Sequence, residues 1–428
     1  MVPSPSGTLS RPVGLLARSV GARGLQFLLS FALSVVVART WGAEGLGAYG
    51  TGAAFGAFGV LAGDLGLNTA ALRWFVLAGP SKALHVRLLS IKSRLLLPAL
   101  PVVGVIIVGI THLEGVLLWT ALLVAASSMV ATLNGPSVAV LRAALSMDEE
   151  LAATSLERIT TVGLVALLSV AGAAVWSIGL LSLATSVLLV VALALLARRH
   201  VRDVPAPGVK VAAGLPYAGA LLFETVAFRF DAVLLPRYVP VSEVGAYVAA
   251  YRLVFVVAGV AAAVQAVLLP RWIPIDGHTR GARKQTLNAT ILAAFAIAAG
   301  VALFPNIVEL LLGREFSTSV ALLRTLSLSI FFVPVYFIVS TALVADGLTR
   351  WFLAGWATAG TLNLVANLAI LPRYGARGAA ITTVLSDGTL LAVWLFGAVR
   401  GSHIDRATAL SIIVAACVLV ALIVAQTS

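Results

Sequence analysis

Seven charged side chains stand inside long apolar runs: Asp64, Glu224, Arg229, Asp231, Arg252, Arg324 and Asp387. A charge at the centre of a bilayer costs about 2.5–3.5 kcal/mol even on the mild insertion scale, so each needs water, a partner or a function. The densest group lies between 224 and 252. Glu224 and Asp231 are seven residues apart and share one helix face. Arg229 points about 140° away from Glu224, at about 100° per residue. Asp231 precedes Val241 by ten residues and Arg252 follows it by eleven, so a hairpin turning there sets both at similar depth. Two chemistries follow from that placement: an arginine in a wet cavity that takes an anion, tuned by a carboxylate, or an ion pair that ties the hairpin. Asp64, with Asn68 one turn on, reads either as a polar patch or coupling-ion site, or as a helix–helix contact. Arg324 lies near a helix end and can snorkel. Asp387 stands among Thr382, Thr383 and Ser386 as interhelical glue.

The elements that position these groups follow from composition. Of 428 residues, 60% are hydrophobic and 11% charged, less than half the charge of an average soluble domain, and the mean hydropathy is +1.05. That excludes a soluble enzyme, a disordered chain and a collagen-like chain. A spanning helix needs about 20 apolar residues. Thirteen candidates fit: 13–38, 45–72, 90–111, 115–141, 151–173, 176–197, 212–236, 243–270, 286–312, 318–345, 351–371, 377–399 and 407–426. With the N-terminus inside, 21 of the 29 Lys and Arg residues fall in inner segments, five in outer ones and three within spans. The positive-inside rule then sets the N-terminus in the cytoplasm. Arg18 and Arg23 open the first span at that face, as plain anchors or as guards of a cavity mouth.

The net charge of +12 belongs to these anchoring loops and not to nucleic-acid binding. Cys417 is the single cysteine, and the five histidines are scattered without metal-ligand spacing. No metal, cofactor or cleaved signal peptide is expected. The outer loops are too short to hold the substrate of a polymerase or a glycosyltransferase, so no enzyme is expected. A passive scaffold would not need the buried charges.

A half-chain offset of 198 residues aligns Arg39-x7-Gly47-Ala48-Tyr49 with Arg237-x7-Gly245-Ala246-Tyr247. Six spans separate the copies, so both halves share one orientation, as a parallel repeat about an axis along the membrane normal. The expected fold is therefore an all-α polytopic membrane protein of two six-helix lobes, with about 12–13 spans. Residues 1–200 form the N-terminal lobe, 201–400 the C-terminal lobe and 401–428 an extra helix. Substrate sites of such transporters lie between the lobes near the midplane.

Several segments resemble the polysaccharide-transporter branch of the MOP exporter superfamily, the O-antigen and exopolysaccharide flippases. FDAVLL at 230–235 followed by VGAYVAAYRL at 244–253 is similar to that family's spans seven and eight. GAEGLGAY at 42–49 looks like its first outer loop, and DLGL at 64–67 like its second span. LGREF at 312–316 resembles the turn before span ten. Asn363, LPRYG at 371–375 and GAA at 378–380 resemble spans eleven and twelve. The resemblance covers nearly the whole chain. It implies two lobes in a V that open alternately to each side. It also implies a cationic cavity lined by spans one, two, seven and eight, with Arg18, Arg23, Asp64, Arg229, Asp231 and Arg252 as substrate-binding residues.

On that basis the substrate is an undecaprenyl-(pyro)phosphate-linked oligosaccharide, moved from the inner to the outer leaflet of a bacterial cytoplasmic membrane. Asp64, Glu224 and Asp231 are candidate coupling carboxylates for H+ or Na+, and a polysaccharide polymerase is a candidate partner. A cation-coupled drug exporter on the same fold stays open, because those three carboxylates are present. A lipid II flippase is a further alternative, although the chain has about thirteen spans where that pattern has fourteen.

Overall fold

The computed structural model describes residues 10–205, 211–273, 280–401 and 404–426. Among them there is no strand; fourteen α-helices carry nearly everything. The first half runs α1 (Ser10–Asp64), α2 (Leu67–Ala78), α3 (Lys82–Ile110), α4 (Gly115–Ala131), α5 (Asn134–Ala143), α6 (Met147–Val170) and α7 (Trp176–Arg198). The second runs α8 (Leu215–Leu234), α9 (Val241–Trp272), α10 (Arg280–Leu303), α11 (Ile307–Leu312), α12 (Ser317–Ala345), α13 (Thr349–Arg400) and α14 (Arg406–Ala425). Helix is the form a bilayer selects, because it satisfies each backbone amide within its own segment.

Ten of the described helices are long and apolar enough to cross a membrane. Two of these are double spans. α1 reverses at Gly42 (φ 65°, ψ −164°) and α13 at Gly375 (φ 52°, ψ −133°), dihedrals that strain any residue with a Cβ. α8 is not among the ten, because its 20 residues carry Glu224, Arg229 and Asp231. Counting each kinked helix as two and α8 as one gives the thirteen segments that the sequence offers as candidates, but several bounds move. α3 begins at Lys82, eight residues before the predicted start. The predicted span 45–72 breaks at Leu65 (φ 46°) and Gly66 (φ 75°). The predicted span 286–312 is α10 followed by the short α11.

Within the first half, α1 packs on α4, α6 and α3, and α4 on α7. Within the second, α12 packs on α9, α10 and α13, and α13 on α8. The halves meet where α1 lies along α9 and α8, while α14 rests on α10, α12 and α13. At its N-terminal end α14 is capped by Asp405, whose carboxylate accepts from the Thr408 amide at 2.7 Å. The Lys284 ammonium, and after it the Thr408 amide, hold the Asp405 carboxyl down at about 2. The folded value lies below the ordinary one. The cap is therefore fully charged at neutral pH, and its contribution fades only as pH falls from about 4 toward 2. At the other end Arg324 donates to the Gln426 carbonyl at 3.4 Å, a cation at a helix C-terminus.

The repeat found in the sequence is a physical contact. A Cβ on Gly47 would meet the Val241 carbonyl, and a Cβ on Gly245 would meet the Ala43 carbonyl. Ala43 and Val241, like Gly47 and Gly245, are one 198-residue offset apart. Each half thus presents the same glycine to the same position of the other, as a pseudo-twofold axis requires. The repeat arginines also reach across. Arg39 donates to the Leu310 and Leu311 carbonyls at 2.9 and 2.8 Å, and Arg237 lies 3.4 Å from the His112 ring. This seam joins the two halves at the ends that carry Gly47 and Gly245.

Replacing Gly245 by Val should wedge the seam. In a Cys417→Ala background, a cysteine at Ala53, which lines the cavity below, should react several-fold faster with an impermeant maleimide added outside. An unchanged rate would show that the glycine contact does not keep the outer side shut.

Candidate functional site

Two helices carry the central charges. α8 ends in a single 3-10 turn at Leu235–Arg237, and Pro240 (φ −58°, ψ 151°) precedes α9. Proline cannot continue the first helix but readily precedes the second, so the hairpin turns where the sequence places it. Arg229 and Arg252 consequently sit on neighbouring helices at similar depth.

Both arginines line a cavity of about 530 Å3 between the two halves. Its first-half wall includes Phe27, Ser30, Tyr49, Ser127, Glu157 and Ser186. Neither guanidinium forms an ion pair among the described residues. Arg229 lies over the Phe255 ring, 4.4 Å from its centroid, and Arg252 over the Tyr49 ring at 5.6 Å. The Arg252 Nε is buried without a hydrogen-bond partner. Aromatic faces attract a cation but leave its donor hydrogens free to meet an anion. Arg158, 3.6 Å from Glu157, also lines the cavity. Three cations thus face one carboxylate. An anionic group entering this space would find donors suited to bidentate contact with phosphate oxygens.

The ion pair that the hairpin geometry permits between Asp231 and Arg252 does not form. Asp231, 1% exposed, turns into the second half instead. It accepts from the Tyr247 hydroxyl, from Thr383 Oγ1 at 3.1 Å and from the Ala232 amide at 2.7 Å. Two residues that sequence spacing could not bring together, Tyr247 and Thr383, supply its partners. Behind them lies a polar ladder between the two halves of α13. Asn363 donates to Ser386, Asn367 donates to Asn363, and Thr382 donates to Asn367. Asp387 adjoins this ladder in sequence, but its Oδ2 is buried without a hydrogen-bond partner. Glu224 is half-buried one face-repeat before Asp231 on α8, away from the cavity lining.

Asp64 is not in the cavity either. It pairs with Lys92 at 2.7 Å, and Lys92 is fully buried. The same ammonium donates to Asn68 Oδ1 at 2.6 Å and to the Thr132 carbonyl and hydroxyl. Lys92 is one of the 21 Lys and Arg residues that the charge count places in inner segments, and the structure corrects that placement. α3 starts early enough to carry it inside, where it ties the end of α1, the start of α2 and the end of α4. The side chains of Arg18 and Arg23 lie outside the described residues, although their backbone is helical. Sequence reasoning missed Glu157, Tyr49 and Phe255 as cavity groups. A carboxylate and two rings in otherwise ordinary helices give no periodic signal.

No family model matches the sequence, and no curated protein matches it. Solved structures do. One is a multidrug resistance MATE family transporter of the MOP superfamily in an inward-facing conformation, at TM-score 0.68 and 18% identity, covering 88% of this chain and 94% of that one. The chain shares the fold of this transporter. The lipid II flippase MurJ, in an inward closed conformation, matches at TM-score 0.66 and 14% identity, over 96% of this chain and 99% of that one. A eukaryotic MATE transporter, AtDTX14, matches at TM-score 0.56 and 15% identity, over 96% and 99%. These neighbours are transporters, and the fold they share with this chain is that of a multi-pass membrane protein.

The buried Lys92–Asp64 pair predicts a specific pattern of stability. Lys92→Met strands a carboxylate in low dielectric and should cost about 3–5 kcal/mol. Lys92→Met combined with Asp64→Leu should recover most of that loss, because no charge is left unpaired. Thermal unfolding of the purified variants in detergent completes the cycle. A double variant no more stable than the single one would deny the pair this role.

Proposed function

We propose that this chain is a flippase for undecaprenyl-(pyro)phosphate-linked oligosaccharides. It carries them from the inner to the outer leaflet by alternating access, in cell-surface polysaccharide biosynthesis. The observation that carries this reading is the cavity of about 530 Å3 in which Arg229 and Arg252 rest on aromatic rings without a carboxylate partner. A drug exporter for cations would need the opposite balance of charge. A pyrophosphate leaving water needs fixed cations to replace its hydration. The head group crosses through the cavity while the polyprenyl tail stays in the bilayer.

In this reading Arg229 and Arg252 grip the phosphates, and Arg18 and Arg23 receive them at the cytoplasmic mouth. Asp231 is the coupling carboxylate for H+ or Na+, since Tyr247 and Thr383 tie it to α9 and α13, which move with the second half. Glu224 is a secondary candidate. Asp64 acts at a distance from the substrate, by holding the break between α1 and α2. Residues 1–200 and 201–400 are the two lobes, and 401–428 is an accessory helix. The protein resides in a bacterial cytoplasmic membrane with its N-terminus inside, on the strength of the charge bias, and hands its product to a polysaccharide polymerase. A cation-coupled exporter is the second reading, favoured by Glu157 on the cavity wall.

The test is a deletion strain in which lipid-linked oligosaccharide is measured and its leaflet assigned by external labelling. Intermediates should accumulate on the cytoplasmic face. Complementation with Arg252→Ala should fail at equal membrane abundance, with export lowered at least about tenfold, the equivalent of one charge-assisted contact of about 1.4 kcal/mol or more. The variant should still insert and fold, because removing an unpaired cation strands no counter-charge. Normal export by Arg252→Ala would remove the arginine from the substrate path. Unchanged surface polysaccharide in the deletion strain, with new sensitivity to cationic compounds, would support the exporter.

A further inference from the structure

A second cavity, of about 900 Å3, lies at the end of the bundle that the charge bias assigns to the cytoplasm. All of its lining residues belong to the second half. Its walls are α10, α12, α13 and α14, together with the link into α14. Four cations line it: Arg283, Lys284, Arg400 and Arg406. Two carboxylates offset them. Arg283 donates to both oxygens of Asp346, at 3.0 and 2.8 Å, and Lys284 pairs with Asp405 at 2.7 Å. Arg400 and Arg406 make no ion pair among the described residues, so the cavity keeps an excess of two positive charges.

One of these cations is poised rather than solvated. Arg283 is 9% exposed. It also donates to the Trp272 carbonyl and lies over that ring, 5.5 Å from the centroid. Its Nε is nevertheless buried without a partner, and a buried unpartnered donor costs about 1–3 kcal/mol unless something accepts from it. The exposed, unpaired Arg400 and Arg406 flank the same space. Such a cavity fits an anion with several acceptor oxygens.

The apolar part of the lining separates a lipid from a soluble anion. Phe396 lies one turn, about 6 Å, from Arg400 toward the membrane interior. It is 56% exposed and lines the same cavity. Leu287, Val399 and Ile404 continue this surface. Cations at the interface with an exposed apolar wall one turn deeper match the two-part chemistry of a phospholipid, a phosphate head over acyl chains. Basic pockets between transmembrane helices on the cytoplasmic side bind anionic lipid head groups for this reason. Neither Arg229 nor Arg252 takes part, so this site is independent of the transport cavity.

We propose that the cavity between α10, α12, α13 and α14 binds the head group of an anionic phospholipid of the inner leaflet, with Arg400 and Arg406 as its principal contacts and Arg283 behind them. The bound lipid bridges α13 to α14 and so ties the last helix to the second half. The assignment to the inner leaflet rests on the charge-bias topology; binding itself does not depend on the flippase reading.

Native mass spectrometry of the full-length protein in detergent tests the proposal, with phosphatidylglycerol, phosphatidylcholine of the same acyl chains, and inorganic phosphate as probes. The wild-type chain should retain phosphatidylglycerol in preference to phosphatidylcholine. Arg400→Ala with Arg406→Ala should weaken phosphatidylglycerol binding about thirtyfold, from about fivefold for each interfacial cation, and leave phosphatidylcholine unaffected. Arg198→Ala with Arg199→Ala, two exposed arginines at the same end of the first half, should change nothing. If the alanine pair fails to elute as folded protein, the single Arg400→Gln and Arg406→Gln variants should each lose about fivefold. Unchanged binding in these variants would overturn the proposal. So would an equal loss in the Arg198/Arg199 control, which would mean general surface charge. Displacement of phosphatidylglycerol by an equal concentration of inorganic phosphate would also overturn it, since the cavity would then be a soluble-anion site.

Discussion

A guanidinium carried into hydrocarbon loses its water, and a bilayer offers no replacement. Arg229 and Arg252 are both placed at that disadvantage, and much of the second half is arranged around them. The hairpin between α8 and α9 brings them to one depth. Phe255 and Tyr49 receive their charge on ring faces. Asp231, which could have neutralised one of them, is turned away and held by Tyr247 and Thr383. Separating a carboxylate from nearby arginines has no stabilising logic of its own, because the pair would offset both desolvation costs. It leaves donors open to a ligand and a carboxylate in a separate network that joins α8, α9 and α13.

The contrast with Asp64 and Lys92 is instructive. There the same two charge types do meet, at 2.7 Å, with Asn68 and Thr132 satisfying the remaining ammonium hydrogens. That cluster sits where α1 breaks into α2, next to the contact of Gly66 with the Gly214 carbonyl at the start of the second half. A fully satisfied buried pair rigidifies its surroundings. An unsatisfied arginine pair awaits something else. The protein thus holds intramembrane charge in two ways: paired, where α1 breaks into α2, and without a carboxylate partner among the described residues, at Arg229 and Arg252.

Two seams join the halves. On the outer side the backbones at Gly47 and Gly245 approach so closely that neither tolerates a Cβ, and Arg39 and Arg237 reach across beside them. On the inner side, Gly66 and Gly214 make a similar close approach. Glycine contacts of this kind give van der Waals packing without interlocking side chains, so they can part without repacking a core. The Gly47 and Gly245 contacts are related by the 198-residue repeat, whereas the Gly66–Gly214 contact is not.

Much of this was legible in the chain alone. The hydrophobic runs determine thirteen spans, because a membrane helix must be about 20 residues long and apolar. The 198-residue offset determines which positions are equivalent, and the scarcity of charge singles out Arg229, Asp231, Arg252 and Asp64. What each charge does was not legible, since it depends on partners from distant segments. Spacing permits Asp231 to meet Arg252, yet the fold gives it Thr383, 152 residues away. Lys92 counts as a loop anchor in the sequence until α3 is seen to begin at Lys82 and bury it. Glu157 and Tyr49 look like ordinary helix residues until six helices close around one cavity. Periodicity and length report how a segment meets its solvent; only tertiary packing decides which buried charge is neutralised and which is left to bind.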